Sequence, residues 1–386
     1  MKNFFILLLS AFVCTWASAQ VDQGRDLSKY ADDKFGIDDQ YTVAVPYETV
    51  TVQPVKSSNR IRNVIVLIGD GMGVEQISMA WVLNGGRLNM DNFQYTGGSR
   101  TYSANKLITD SSAGGTAIAC GEKTANGYIG VDADGKPLES LLHYAQQKGM
   151  KTGVTVTCRI NDATPADFVC HSDDRHKEAD IAAQFVGSDV DFICGGGRQF
   201  WENREDGRNL IEEMKAQGYT FVDTDEDLRK VDGGKVLGLF APLDMDPVLD
   251  RGPILEDSAE KALELLDNKK GFFLMIEGSQ IDDWGHRHKV GHVAEELFEF
   301  DRIVGTVLQW AEKDGHTLVI VTADHATGGM TLVGGSIAER SVKVHFSTKG
   351  HNGIVVPVFA YGPHAEEFVG VYENAELSAK IRRLMK

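Results

Sequence analysis

The chain has 386 residues, 42% of them hydrophobic, and a formal net charge of −17. That length can bury a large core and is long for one ordinary domain, so the simplest reading is a single large α/β unit with insertions. The acidity repels nucleic acid and anionic membrane surfaces, so neither is an expected partner, and it is compatible with a metal-rich site although most of the carboxylates are expected to be solvated surface.

Lys2, the apolar run Phe4 to Val13 and the small residues Ala17-Ser18-Ala19 read as a secretory signal peptide cleaved after Ala19. The run falls well short of the roughly 20 residues that span a bilayer, and no later segment approaches that length, so stable membrane insertion is not expected. Export to a periplasm or the medium is the expected localisation. Loss of the leader, whose one charge is Lys2, takes the net charge from −17 to −18. Cys120, Cys158, Cys170 and Cys194 would remain; four cysteines in a chain this long are no disulfide scaffold, and buried thiols are an equal reading.

Residues 20–58 are polar with little periodicity and read as an arm leading into a single folded domain over 59–386. "NVIVLIGDGMG" (63–73) then gives a short apolar β-branched run stopped by Asp-Gly, the pattern of a buried strand and turn. The design recurs at "GFFLMIEG" (271–278) and "HTLVIVTADH" (316–325), and more weakly at 151–157, 190–197 and 353–362. Amphipathic helical patterns lie over 138–147, 177–185, 209–217, 258–267 and 293–312. Strands alternating with helices predict a mostly parallel sheet covered on both faces, a three-layer α/β/α sandwich. No internal repeat or low-complexity tract interrupts it.

Three of the strand-like runs finish in acids: Asp70, Glu277 and Asp324. Acids at strand ends are often only turn formers. Ligands in open α/β sheets nevertheless bind beyond the carboxyl ends of strands, so three such acids can converge. Asp282 and His286, four apart, share one face of a helical turn and can grip one metal with a position left open, as a catalytic zinc requires. Asp324 and His325 leave a strand together, with Asp70 able to join them or to bridge toward a harder cation. His288 and His292 are nearby and expected to be exposed. Thr164 and Glu277 complete an oxygen-rich set with Asp70 that suits magnesium.

"TDSSAGGTA" (109–117) places Ser111 where a helix can begin, over free N–H groups and the positive end of the helix dipole, which welcome phosphate. A serine there can instead be an ordinary N-cap. A metal touching Ser111 would lower its pKa and make a nucleophile without a histidine base, with Ser112 as the substitute to test.

"GDGMG", "TDSSAGGTA", "DATPA…H…R", "EG…ID…GH", "TADH" and "GHNG" occur in an order and spacing that together resemble the alkaline phosphatase family from about Asn63 to Gly370. The resemblance implies hydrolysis of small-molecule phosphate monoesters through a phosphoserine at Ser111, with an alkaline optimum. Asp110 would orient Arg175, whose planar fork suits two phosphate oxygens. One zinc would be held by Asp282, His286 and His351, a second by Asp70, Asp324 and His325 with Ser111 touching it. One magnesium would take Asp70, Thr164 and Glu277, with Asp162 supporting it through water. Two metals about 4 Å apart would clamp the entering and leaving oxygens.

The pattern also has departures. Asp283 stands where family members vary among lysine, histidine and tryptophan, and a carboxylate there would repel phosphate. Thr327 replaces a histidine that some members place behind a zinc ligand. The 25 residues between His325 and His351 are few for the family's crown, so a short insertion near 326–350 and a reduced crown are expected, with a possible homodimer. Rival readings are a phosphodiesterase or sulfatase of the same superfamily and a secreted protein that only binds metal or phosphate.

Overall fold

The computed structural model describes residues 40–385; the leader assigned to residues 1–19 and the first part of the arm lie outside them. Among the described residues there are fifteen strands: β1 (Gln40–Thr42), β2 (Asn63–Gly69), β3 (Tyr95–Arg100), β4 (Lys151–Arg159), β5 (Phe192–Gly196), β6 (Tyr219–Val222), β7 (Lys235–Leu239), β8 (Phe272–Gly278), β9 (Thr317–Thr322), β10 (Ala326–Thr327), β11 (Met330–Ser336), β12 (Ser341–Phe346), β13 (His351–Asn352), β14 (Val356–Tyr361) and β15 (Gly370–Glu373). Ten of them form one sheet in the order β15-β3-β14-β9-β2-β8-β4-β5-β7-β6. Only β14 runs against its neighbours β3 and β9.

Burial on both faces explains the unbroken apolar runs. In β2, Val64, Val66 and Ile68 face one hydrophobic cluster while Ile65 and Leu67 face the other, and all five are fully buried. One cluster packs the sheet against helices Val74–Leu83, Ile254–Leu266 and Val290–Asp314. The opposite cluster packs it against Ser111–Cys120, Leu141–Gln147, Glu178–Phe185 and Asn374–Leu384. Each such aliphatic side chain contributes about 1.5–3 kcal/mol of transfer free energy. The expected three-layer sandwich is the fold observed.

Ends move by a few residues for identifiable reasons. The helix expected from Leu138 begins at Leu141, because Ser140 caps it by accepting from the His143 N–H. The long helix runs over Val290–Asp314, past the expected 293–312, and stops at Gly315 in the left-handed region. The last expected strand shortens to Val356–Tyr361. Strands β3, β6 and β7 and the helix Val74–Leu83 were not expected. Within 326–350, β11 and β12 form a bulged hairpin extended by β1, so this piece of the arm is pinned to the body.

β2, β4, β8 and β9 run parallel, so their carboxyl ends share one edge. In register, Ile68 pairs with both Glu277 and Thr322, and Val156 also pairs with Glu277. Asp70, Asp162, Glu277 and Asp324 therefore collect along that edge.

Candidate metal and phosphate site

Gly71 turns the chain after Asp70 with φ of +70°, and a Cβ there would meet the Asp282 Cα at 2.9 Å. Glycine thus lets the helix Gln280–His286 close against the end of β2. That helix carries Asp282 and His286 one turn apart, with His286 Nε2 3.1 Å from Asp282 Oδ2. His351 arrives on β13, whose pairing with β10 sets His351 opposite Thr327 and stacks its ring on His325 at 3.5 Å. Its Nε2 lies 3.2 Å from His286 Nε2 and 3.5 Å from Asp282 Oδ1.

Backbone carbonyls fix the imidazole tautomers. His286 Nδ1 donates to Lys349 O at 2.5 Å, and His351 Nδ1 to Thr109 O at 2.9 Å. In the neutral imidazoles each Nε2 is an acceptor, and the two face one another beside the Asp282 carboxylate, where a cation or a second proton on His286 must supply the positive charge. Acceptors converging without a donor are the arrangement a cation satisfies.

A second group forms around His325. Its Nε2 is 3.0 Å from Asp324 Oδ2, 3.5 Å from Asp70 Oδ1 and 3.3 Å from Ser111 Oγ. Asp324 Oδ1 is consumed by the Gly71 and His325 N–H groups. Asp324 Oδ2 and Asp70 Oδ1 are buried with no hydrogen-bond partner. The ligand atoms of Asp282, His286 and His351 lie within 4.8 Å of one another, as do those of Asp70, Asp282 and His325. Asp282 belongs to both groups, a sharing the expected ligand sets did not include. Thr327 donates to Asp282 Oδ1 and faces His325 Nδ1 at 3.3 Å, taking the place behind both.

The electrostatics record a surplus of acid. Burial, then repulsion from Asp324, Asp282 and Glu277, pushes the Asp70 carboxyl well up. Burial raises Glu277 to about 8, although Ser279 donates to its Oε2 at 2.7 Å. Burial works against a charged His286, yet Asp282 lifts it to about 9, whereas burial and the His325 charge depress His351 to about 4. The Thr164 hydroxyl sits beside Glu277 without a hydrogen bond of normal geometry. Imidazole and carboxylate donors in the two histidine groups fit zinc, and the Asp70, Thr164 and Glu277 oxygens fit magnesium.

Ser111 opens the helix Ser111–Cys120, but Asp110 is its cap: Asp110 Oδ1 accepts from the Ala113 N–H at 3.0 Å. The capping alternative for Ser111 is thereby overturned, and its hydroxyl is free to face His325. Ser112 is fully buried and offers nothing to a substrate. The small residues let this helix approach the site, since a Cβ on Gly114 would meet Asp324 O at 3.0 Å and one on Gly115 would strike Asp167 Oδ2.

Arg175 Nη1 lies 3.5 Å from Asp110 Oδ2, and its Nη2 donates to Asp162 Oδ1 at 3.0 Å. Asp162 is therefore held by guanidinium groups, which overcome burial and keep its pKa low. His292 is not exposed as expected: it is buried and stacked on Trp284 at 4.0 Å. His288 stacks on Phe346 and bonds Thr348 O. The four described cysteines, Cys120, Cys158, Cys170 and Cys194, are free, the last three of them buried. Arg159, Ser279 and the carbonyls of Thr109 and Lys349 escaped the sequence reading; an arginine three residues before the DATPA motif was the one visible signal.

Among the described residues, no helix is long and apolar enough to cross a membrane. The alkaline phosphatase family model matches residues 61–344. Alkaline phosphatase 4 of Bacillus subtilis (strain 168) is 36% identical over 339 residues, 83% of this chain and 73% of that protein. Streptomycin-6-phosphate phosphatase of Streptomyces griseus is 32% identical over 82% of this chain and 88% of its own length. The solved alkaline phosphatase of the Antarctic bacterium TAB5 superposes with a TM-score of 0.80 at 37% identity, covering 85% of this chain and 98% of that one. A mutant of that enzyme has been solved with magnesium in its M3 site, also at a TM-score of 0.80.

Proposed function

The chain belongs to the alkaline phosphatase family and is a phosphatase, and from that premise we propose that it hydrolyses phosphate monoesters in two displacements through a phosphoserine at Ser111. One zinc would be held by Asp282, His286 and His351, a second by Asp70, Asp324 and His325, and magnesium by Asp70, Thr164 and Glu277. Bound there, such cations lower the pKa of a hydroxyl or water and offset charge on the attacking and leaving oxygens.

The chain's own groups do the rest. Ser111 Oγ, its proton given up to solvent, attacks phosphorus as the ester oxygen leaves opposite it with the bonding pair and takes a proton from solvent. The Arg175 fork and the N–H groups opening the helix Ser111–Cys120 meet charge on the equatorial oxygens. A water, giving up a proton, then attacks the phosphoserine from the vacated side, and Ser111 Oγ leaves with the bonding pair and takes up a proton in its turn. Two inversions retain configuration at phosphorus.

The observation that carries this reading is Ser111 Oγ at 3.3 Å from His325 Nε2, where the unpartnered oxygens of Asp70 and Asp324 also point. A histidine base in a hydrolytic triad has its acid on the nitrogen opposite the nucleophile. Here Asp324 and Ser111 face the same nitrogen, while the opposite nitrogen meets the Thr327 hydroxyl at 3.3 Å and has Asp282 Oδ1 only at 4.0 Å, beyond hydrogen-bond reach, which favours a cation over a triad. Phosphate trapping tests the assignment: labelled phosphate recovered in a peptide containing Ser111 supports it, and label on another residue, or turnover with no labelled protein under any quench, contradicts it. The apolar run and Ala17-Ser18-Ala19 support export, which N-terminal sequencing of the mature protein would check.

A further inference from the structure

Arg159 is the last residue of β4, and its side chain is 14% exposed. Its backbone N–H donates to Asp244 Oδ1 at 2.8 Å, and its Nη1 to Asp244 Oδ2 at 2.6 Å. Nη2 donates to Asp162 Oδ2 at 3.1 Å, and Nε faces Glu178 Oε1 at 3.4 Å. The other oxygen of Asp162, Oδ1, takes Arg175 Nη2 at 3.0 Å and the Ala163 N–H at 2.8 Å. The chain Arg175–Asp162–Arg159–Asp244 thus links the candidate phosphate arginine to a rigid strand end by charge-assisted bonds.

We propose that Arg159 is a positioning residue that fixes Arg175 for phosphate through Asp162. The inference rests on the reading of Arg175 as the phosphate-binding arginine. Without Arg159, Oδ2 of Asp162 loses its partner and the carboxylate can rotate, leaving Arg175 with the longer contact to Asp110 at 3.5 Å. A long side chain held in place before ligand arrives gives up less freedom on binding. Because both oxygens of Asp162 are already engaged, Asp162 acts on the arginine and not as a direct cation ligand. Charge alone cannot do this: a lysine at 159 keeps the charge but lacks the planar fork that reaches Asp162 and Asp244 together.

The test titrates inorganic phosphate into the metal-loaded protein by calorimetry, with R159Q, R159K and D244N compared to the unaltered chain. All three are expected to weaken phosphate about tenfold and raise KM by a similar factor while kcat stays within about threefold. E178Q, which leaves the Asp162–Arg159–Asp244 link intact, is expected to bind as the unaltered chain does. Guanidinium NMR signals of Arg175, assigned with R175K, supply a readout independent of catalysis: slow rotation in the unaltered chain, averaged in R159Q. If R159Q does not fold, D244N carries the test. Unchanged phosphate affinity with a still-rigid Arg175, or R159K binding phosphate normally, overturns the proposal. An unaltered chain that fails to bind phosphate counts against the functional reading instead, and the NMR signal still judges the positioning.

Discussion

Two clusters of buried acid in this molecule are built on opposite terms. In the first, Arg251 bonds both oxygens of Glu296, at 2.9 and 2.7 Å, and reaches Glu299, with all three side chains at most 5% exposed. The protein supplies the cation and the cluster ties the segment Val248–Arg251 to the long helix Val290–Asp314. In the second, Asp70, Asp282, Asp324 and Glu277 crowd the carboxyl edge of the sheet with no lysine or arginine bonded to any of them among the described residues and with only imidazoles beside them. The first cluster is closed and structural, whereas under the proposed function the second is completed by cations from outside the chain.

The largest effect expected is on chemistry at the open cluster: Ser111→Ala should lower kcat/KM at least about 10³-fold with normal metal content and leave no phosphopeptide. Nearly unaltered turnover would transfer the nucleophile elsewhere. At the closed cluster, Arg251→Met leaves the buried Glu296 carboxylate without its counter-charge, beside Glu299, and should cost about 3–5 kcal/mol in urea unfolding. Activity per folded molecule should hold within about twofold, and a specific loss of activity without lost stability would erase the contrast between the two clusters.

A pH dependence sharpens the comparison further. Burial raises Glu299 from its ordinary 4.5 to about 7 in spite of Arg251. The neutral form is the one the fold favours, so this group's contribution is complete below about pH 4.5 and is lost as pH rises through about 7. Unfolding of Glu299→Gln and the parent, both chelator-treated, should show the variant gaining by up to about 3 kcal/mol across that window. A constant difference would mean that Glu299 stays charged throughout. The smallest effect belongs to Thr327→Val, which removes the donor behind Asp282 and should weaken zinc about tenfold in competition with a chromogenic chelator, with stability of the fully loaded protein little changed.

The open cluster was more legible in the sequence than the closed one, for a physical reason. Strands buried on both faces must be apolar throughout, so acids such as Asp70 and Asp324 stand out where those runs stop. Helical spacing likewise exposes Asp282 with His286. His351 was visible only through the family resemblance, because its position depends on two residues of β13 pairing with β10 far back in the chain. The partners of Glu296, Glu299 and Asp162 were invisible, since an arginine's reach spans elements whose contact no local pattern encodes. His292 misled for the same reason: stacking on Trp284 buries it, and nothing in its spacing says so. Short, half-exposed strands such as β6 lack the long apolar run that marks β2.

The central claim, that the acid-rich edge is completed by cations from outside the chain, is tested most directly by elemental analysis of the purified protein before and after exhaustive chelation. Three divalent ions per chain, two of them zinc, with activity lost on removal and recovered on zinc and magnesium return, is the predicted result. Full phosphatase activity in a protein shown to be free of metal would contradict it.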